Sequence, residues 1–204
     1  MTIAKGQPWG RPGRLPDGAP VAASDAELRE LVVRHRVGPT PLPLAVGLTG
    51  GALWRTLGGP GAVGRLHRDD AMWLPIDVGR ASLDGATTWF VASVVARTWN
   101  WTRAFVAMNG DWVGRYQFGP RAHPNDGLLD TYAAQLRWQD IAKVARRARN
   151  GAHLPHPGIT ERRIRTGRIT FERPRRVWID GERWATRVRA MELWVEPDSL
   201  SVVL

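Results

Sequence analysis

Four stretches of this sequence carry side chains that could do chemistry. In His123-Pro124-Asn125-Asp126-Gly127-Leu128-Leu129-Asp130 a short carboxylate, a flexible glycine and exposed carbonyls stand together at the entry to a strand. Oxygens so placed can hold a hard cation such as Mg²⁺, with water completing the shell, and the same Asn-Asp-Gly run is also an ordinary turn. Asp180-Gly181-Glu182 sets two carboxylates at one hairpin tip, where Glu182 could take a proton from a substrate hydroxyl. Asp-Gly is equally a common turn between β runs. Thr49-Gly50-Gly51, after a strand and before a helical turn, could present backbone N–H groups to a phosphate, although a lone Gly-Gly pair is weak ground. His153 and His156 read as a loop, because Pro155 and Pro157 keep them off one helical face and no third metal ligand is evident.

Composition narrows the partners. The 204 residues contain no cysteine, which excludes thiolate catalysis, disulfide staples and cysteine-ligated zinc and suits a reducing cytoplasm. The net charge is +10; Lys5 and Lys143 are the sole lysines, so 27 of the 29 basic residues are arginines. Arginine's planar fork suits phosphates and carboxylates, which raises nucleic acid, nucleotides and anionic lipid as partners, while an arginine-rich solvated surface explains the same numbers. The excess lies toward the carboxy terminus, with 15 basic and 8 acidic side chains over residues 131–204. Eleven tryptophans could stack on single-stranded nucleic acid, but Trp73, Trp89, Trp178 and Trp194 fall inside β patterns and are better placed in a core or an apolar cavity. The amino terminus lacks an apolar core of signal-peptide length, and the longest apolar run, Trp89 to Ala96, is too short to span a bilayer. The expectation is a soluble cytoplasmic protein, with peripheral membrane contact as the alternative.

These groups need elements to position them. Repeated Gly and Pro over residues 1–23 predict an extended arm with no regular element. Ser24-Asp25-Ala26-Glu27 is a capping box that opens a helix, which Gly38-Pro39 stops. A buried strand is expected over 42–47. From about residue 72 hairpins follow around Asp84-Gly85 and Asn109-Gly110, then a helix from Asp140 to Arg149. The last strands are expected around Thr166-Gly167 and Asp180-Gly181, then over Val188 to Val195 and Leu200 to Leu204. The fold class expected is α+β, mainly β: an antiparallel β-sandwich or flattened barrel with a small α/β lobe.

The order of these motifs resembles the carboxy-terminal half of the diacylglycerol kinase and sphingosine kinase family of lipid kinases, over about residues 40–204. The segments that carry it are Asn125 to Asp130, Gly151-Ala152-His153 with Pro157, and Ile179-Asp180-Gly181-Glu182. The resemblance implies a nucleotide-binding α/β domain and a lipid-holding β-sandwich, with the active site in the cleft between them. It divides this chain into an arm (1–23), a truncated nucleotide-domain remnant (24–71) and the sandwich (72–204). Asp126 matches the aspartate of the bacterial family's Mg²⁺ site, and the carbonyls of His123 and Leu128 its other protein ligands. Glu182 matches the base toward the lipid hydroxyl, with Asp180 as its companion, and Asp77 the aspartate of the strand entering the sandwich.

The nucleotide motifs depart from the family. Ala23-Ser24-Asp25-Ala26-Glu27 stands where Gly-Gly-Asp-Gly-Thr cradles phosphate, so only Asp25 persists. Each added Cβ obstructs the backbone's approach to phosphate, and Glu27 brings a negative charge where a hydroxyl belongs. Of the second motif Thr49, Gly50 and Arg55 remain. The resemblance therefore implies ATP-dependent phosphorylation of a lipid hydroxyl with Mg²⁺, impaired here; the alternatives are a non-catalytic lipid-binding or regulatory pseudokinase and, more remotely, a nucleic-acid-binding protein. The partners it implies are a lipid or phospholipid, an anionic membrane surface, and a second copy or a separate chain supplying a nucleotide domain.

Overall fold

The computed structural model describes residues 9–38, 45–59 and 63–204. In chain order the elements are β1 (Arg11–Pro12), β2 (Val21–Ala22), α1 (Asp25–Val37), β3 (Val46–Leu48), α2 (Gly51–Thr56), β4 (Met72–Leu83), β5 (Ala86–Phe90), β6 (Ser93–Arg97), β7 (Arg103–Met108), β8 (Trp112–Val113) and β9 (Tyr116–Gln117). Then come β10 (Leu129–Gln135), α3 (Trp138–Ala148), β11 (Ile159–Ile164), β12 (Thr166–Ile179) and β13 (Glu182–Val203). One large, mainly antiparallel sheet runs β1-β4-β13-β12-β6-β7-β10-β11, with β5 beside β4 and the short parallel pair β2-β3 beside the end of β13. It is open rather than a closed barrel.

Strand alternation sorts the side chains. Val94 and Ala96 of β6, Val177 and Ile179 of β12 and Ala107 of β7 point inward, where they meet Ala81, Phe90, Met191 and Leu193 from β4, β5 and β13. The sheet thus folds over on itself and buries one sandwich core. The opposite face of β6, β7 and β10 presents Val95, Val106, Tyr132 and Ala134, and Val144 of α3 packs over them. At the other end Leu28 and Val32 of α1 and Leu53 of α2 close against Ile76, Val78 and Val202.

Both Asp-Gly turns form as expected. Asp84 (φ 48°) and Gly85 (φ 93°) join β4 to β5, and Asp180 (φ 49°) and Gly181 (φ 86°) join β12 to β13; two consecutive left-handed residues match the twist of the flanking strands. Ser24 caps α1 through its hydroxyl, which accepts from Glu27 N at 3.2 Å.

Four local expectations change. Asn109-Gly110 is not a hairpin tip: β7 pairs with β6 and β10, and Asn109, 1% exposed, donates through Nδ2 to the carbonyls of Asp77 (2.7 Å) and Val91 (3.1 Å). Residues 9–23 are stitched to the body, since β1 pairs with β4, β2 with β3, and Leu15 is buried with its N–H on Leu66 O at 2.6 Å. Thr166-Gly167 lies inside β12, the chain turning one residue earlier at Arg165. The two final strands are one, β13, with a register shift between Glu196 and Leu200 that absorbs Pro197 and Asp198. Residues 1–8 of the arm and 42–44 of the expected strand lie outside the described residues.

Candidate functional site

A cleft of about 570 Å³ lies where the β12–β13 turn meets the amino ends of α1 and α2. Asp25 and Gly51 border it on one side and Asp180 and Gly181 on the other, so the structure brings together motifs that are about 150 residues apart in sequence. Three guanidinium groups line it: Arg55 from α2, Arg97 at the end of β6, and Arg115 between β8 and β9. Each rests on an aromatic ring. Arg55 lies 4.9 Å from the Trp112 ring, Arg115 lies 5.4 Å from Tyr116, and Arg97 is held between Trp101 (4.4 Å) and Trp178 (4.1 Å). Arg55 also donates to Gly114 O at 2.7 Å. Trp101 and Tyr116 are shared with an apolar cavity of about 220 Å³ beneath α3, lined further by Ala104, Leu136, Ile141 and Val144. The arrangement joins a cationic cleft to an oily slot.

The carboxylates of the cleft are engaged by backbone. Asp180 is buried and accepts from the amides of Val91 (2.9 Å), Ala92 (2.8 Å) and Ser93 (2.9 Å), fixing the β5–β6 junction. Burial pushes its carboxyl up to about 7, against the pull of those donors. Asp25 accepts from Ala52 N (2.6 Å) and Leu53 N (2.9 Å) and so caps α2 across space. Burial raises its pKa too, the same amides and Arg55 pulling it back. Glu182 is not among the residues lining this cleft. Its carboxylate pairs with Arg29 of α1, whose other nitrogen donates to Ile179 O at 3.0 Å, and it faces a separate groove beside Arg34, Thr88 and Trp184. Trp54 packs into the lobe core against Gly59 and leaves the cleft open.

The Asn125-Asp126-Gly127 loop lies elsewhere, fastened to β4. Asp77, fully buried, accepts from Gly127 N (2.7 Å) and Asp198 N (2.9 Å), and burial raises its carboxyl to about 6. Asp126 accepts from Leu128 N at 3.0 Å through Oδ1, and Arg163 of β11 pairs with its Oδ2. The same guanidinium stands 3.5 Å from Asp130. His123 Nδ1 accepts from Asn125 N at 3.2 Å, and its ring lies 4.6 Å from that of Trp9. His153 is buried against Phe118.

Comparison with known families decides the kinship. Residues 73–204 match the model of the YegS C-terminal NAD kinase beta sandwich-like domain. The chain belongs to this family. The YegS-type sandwich accounts for the strands from β4 to β13, and solved structures extend the likeness over the lobe. A putative diacylglycerol kinase from Bacillus anthracis str. Sterne superimposes with a TM-score of 0.64 at 16% identity, covering 88% of this chain and 74% of that one. A second diacylglycerol kinase structure from that organism gives a TM-score of 0.66 at 14% identity, covering 88% and 73%. No curated protein matches. At such identities the shared property is the fold.

Within this YegS-type framework the groups that a lipid kinase would give to ATP and Mg²⁺ are taken by partners inside the chain. Glu27 Oε2 accepts from Ala23 N at 2.7 Å, completing the capping box at the amino end of α1. Thr49 N and Oγ1 both donate to Ala22 O, at 3.0 and 3.3 Å. Gly50 and Gly51 approach the lobe backbone so closely that a Cβ would lie 2.3 Å from Ala23 O and 2.4 Å from Asp25 Oδ1, so their smallness serves packing. Arg163 stands on Asp126 where a cation would, and no cluster of three or more His, Asp or Glu suited to a metal occurs among the described residues. With its carboxylate paired to Arg163 the Asp126 loop does not fit a Mg²⁺ ion, and Thr49 and Glu27 are turned to the lobe backbone. Sequence reasoning found Arg55 but missed Arg97 and Arg115, which reach the cleft only through the pairing of β6 with β12 and the β8–β9 ribbon.

Proposed function

We propose that this chain is a non-catalytic lipid-binding member of the lipid-kinase fold, taking a phosphate-bearing amphiphile with its head on Arg55, Arg97 and Arg115 and its tail in the cavity beneath α3. The observation that carries this reading is the junction of three ring-supported guanidinium groups with an apolar slot, in a cleft whose own carboxylates are bound by backbone amides. Arginine forks suit phosphate oxygens, and partial exclusion of water strengthens the contact. A proton acceptor for a lipid hydroxyl would have to be Asp25, Asp180 or Glu182. The first two are occupied, and Glu182 is paired with Arg29 outside the cleft.

Titration calorimetry with short-chain, monomeric phosphatidic acid tests the reading, with the matching diacylglycerol as control. Binding of the phosphate form alone, weakened about tenfold or more by Arg97→Ala, is expected for the loss of one charged hydrogen-bonding partner. Equal binding of both lipids, or of neither, would overturn it. Transfer of labelled γ-phosphate from ATP to diacylglycerol, lost in Glu182→Gln, would replace it with the kinase reading that the fold relatives suggest.

A further inference from the structure

The passage of β12 from one half of the folded sheet to the other leaves a gap at the open end of the sandwich. β12 pairs with β13 in both of its halves but with β6 only from Arg176 to Ile179, and its register with β13 shifts between Thr170 and Arg175. Beneath that shift lies a groove of about 220 Å³. Ala96, Phe105 and Ala133, directly opposed across β6, β7 and β10, form its floor, and Ile169 and Phe171 of β12 form its wall. The floor belongs to the inner face of the sheet, with Val94 and Ala107, whereas the slot beneath α3 lies on the other face.

One cation belongs to this groove and has no counter-charge. Alternation along β12 puts Arg175 on the inward face with Val177 and Ile179, opposite the buried Val188 of β13, and its side chain lines the groove. Arg175 is half-buried, and no carboxylate stands within ion-pair distance of it among the described residues. Glu172 also lines the groove, but it is paired with Arg103 at 2.8 Å in an exposed contact that water screens. A guanidinium set against apolar walls without a counter-charge gives up hydration and regains little within the chain. The group that would repay it is an anion.

We propose that this groove is a binding site for a small organic carboxylate with a short apolar body, its carboxylate on Arg175 and its chain against Phe105, Ile169 and Phe171. The planar fork of arginine matches the two carboxylate oxygens. A single guanidinium with Glu172 close by balances one negative charge and not two, which selects a carboxylate over a phosphate monoester. Size sets the body: at about 30 Å³ for each water-sized atom, the groove takes on the order of seven or eight non-hydrogen atoms, the size of hexanoate. The site stands apart from the cleft, and its reading does not depend on what the cleft binds.

Titration of the full chain with hexanoate, followed by amide NMR, tests the proposal because it reports where the ligand sits. Saturable shifts are expected at Phe105, Phe171 and Arg175. Butanoate, shorter by two methylenes at about fourfold each, is expected to bind about tenfold more weakly. Hexan-1-ol, which has the chain without the charge, and the variant Arg175→Gln are each expected to lose about tenfold or more. Arg175 makes no ion pair within the chain, so Arg175→Gln is expected to keep the melting temperature of the free protein, and lost binding then reports the site and not the fold. Arg55→Ala, at the cleft, is expected to leave hexanoate binding unchanged. The proposal is overturned if no saturable shift appears, if hexan-1-ol binds as well as hexanoate, or if the shifts fall at Gly114 and Gly181 and are lost in Arg55→Ala but kept in Arg175→Gln.

Discussion

Replacing Asp180 by asparagine sets burial against hydrogen bonding at one carboxylate. Oδ1 accepts from Ala92 and Ser93, and Oδ2 from Val91. The amide oxygen of asparagine can keep the first two bonds, while its NH₂ turns a donor toward Val91 N. One lost bond with an unsatisfied buried amide costs about 1–3 kcal/mol, and for a chain of this size each kcal/mol moves the melting temperature by roughly 2–4 °C. Asp180→Ala strands all three donors and is expected to cost about 3–6 kcal/mol. The pH dependence is the sharper test. With its folded pKa raised to about 7 from 3.8, the native state keeps a proton that the unfolded chain loses. The stability due to Asp180 is therefore full below the unfolded value and falls as pH rises through 7, by at most about 4 kcal/mol. Asparagine does not titrate, so the melting deficit of Asp180→Asn is expected to be largest at about pH 4 and below, to shrink between pH 4 and 7, and to be smallest or reversed at pH 8. A deficit that grows with pH would show that the three amides hold the carboxylate ionised, and would refute the argument from burial.

Asp25→Ala is expected to uncap α2 and cost about 1–3 kcal/mol, seen as faster amide exchange at Ala52 and Leu53 than at β6. Gly79→Ala places a methyl carbon 2.1 Å from the Phe90 ring and is expected to lower the denaturation midpoint by overpacking of about 1–3 kcal/mol, with Phe90→Leu partly restoring it. Because Arg163 occupies the Asp126 carboxylate, chelator and added Mg²⁺ are expected to leave the melting temperature of the unaltered protein unmoved, while Arg163→Ala frees that carboxylate and gains a Mg²⁺-dependent rise. A chelator-sensitive melt of the unaltered protein would contradict this assignment.

Local chemistry made some of this fold readable from sequence and hid the rest. Ser24 announces α1 because a capping hydroxyl acts within three residues, and Asp180-Gly181 announces its turn because few residues tolerate a left-handed backbone. Asn109-Gly110 carries the same local signal, yet the carbonyls of Asp77 and Val91, distant in sequence, claim the asparagine side chain, and the chain bends there without pairing β7 with β8. The resemblance identified the sandwich and, through its motifs, pointed to Asp25, Arg55 and Asp180, which meet at the cleft. Arg97 and Arg115 had no spacing to betray them. Nor could the sequence separate Trp99 and Trp138, left in water, from the other tryptophans, because burial is decided by which strands pair.

β13 pairs with β12 along its first half, with β4 along its second and with β3 at its end, and contributes to both the sandwich core and the core beneath α1. Separating the lobe from the sandwich breaks the pairing of β3 with β13 and uncovers Ile76 and Val78 of β4 and Val202 of β13, which pack against α1 and α2. Heating is therefore expected to melt both regions in a single calorimetric transition, and protection against hydrogen exchange to be as high at Val202 as at Met191. Whatever binds at the cleft would then stabilise the molecule as one cooperative unit, so that a ligand's grip at Arg97 is felt at α1.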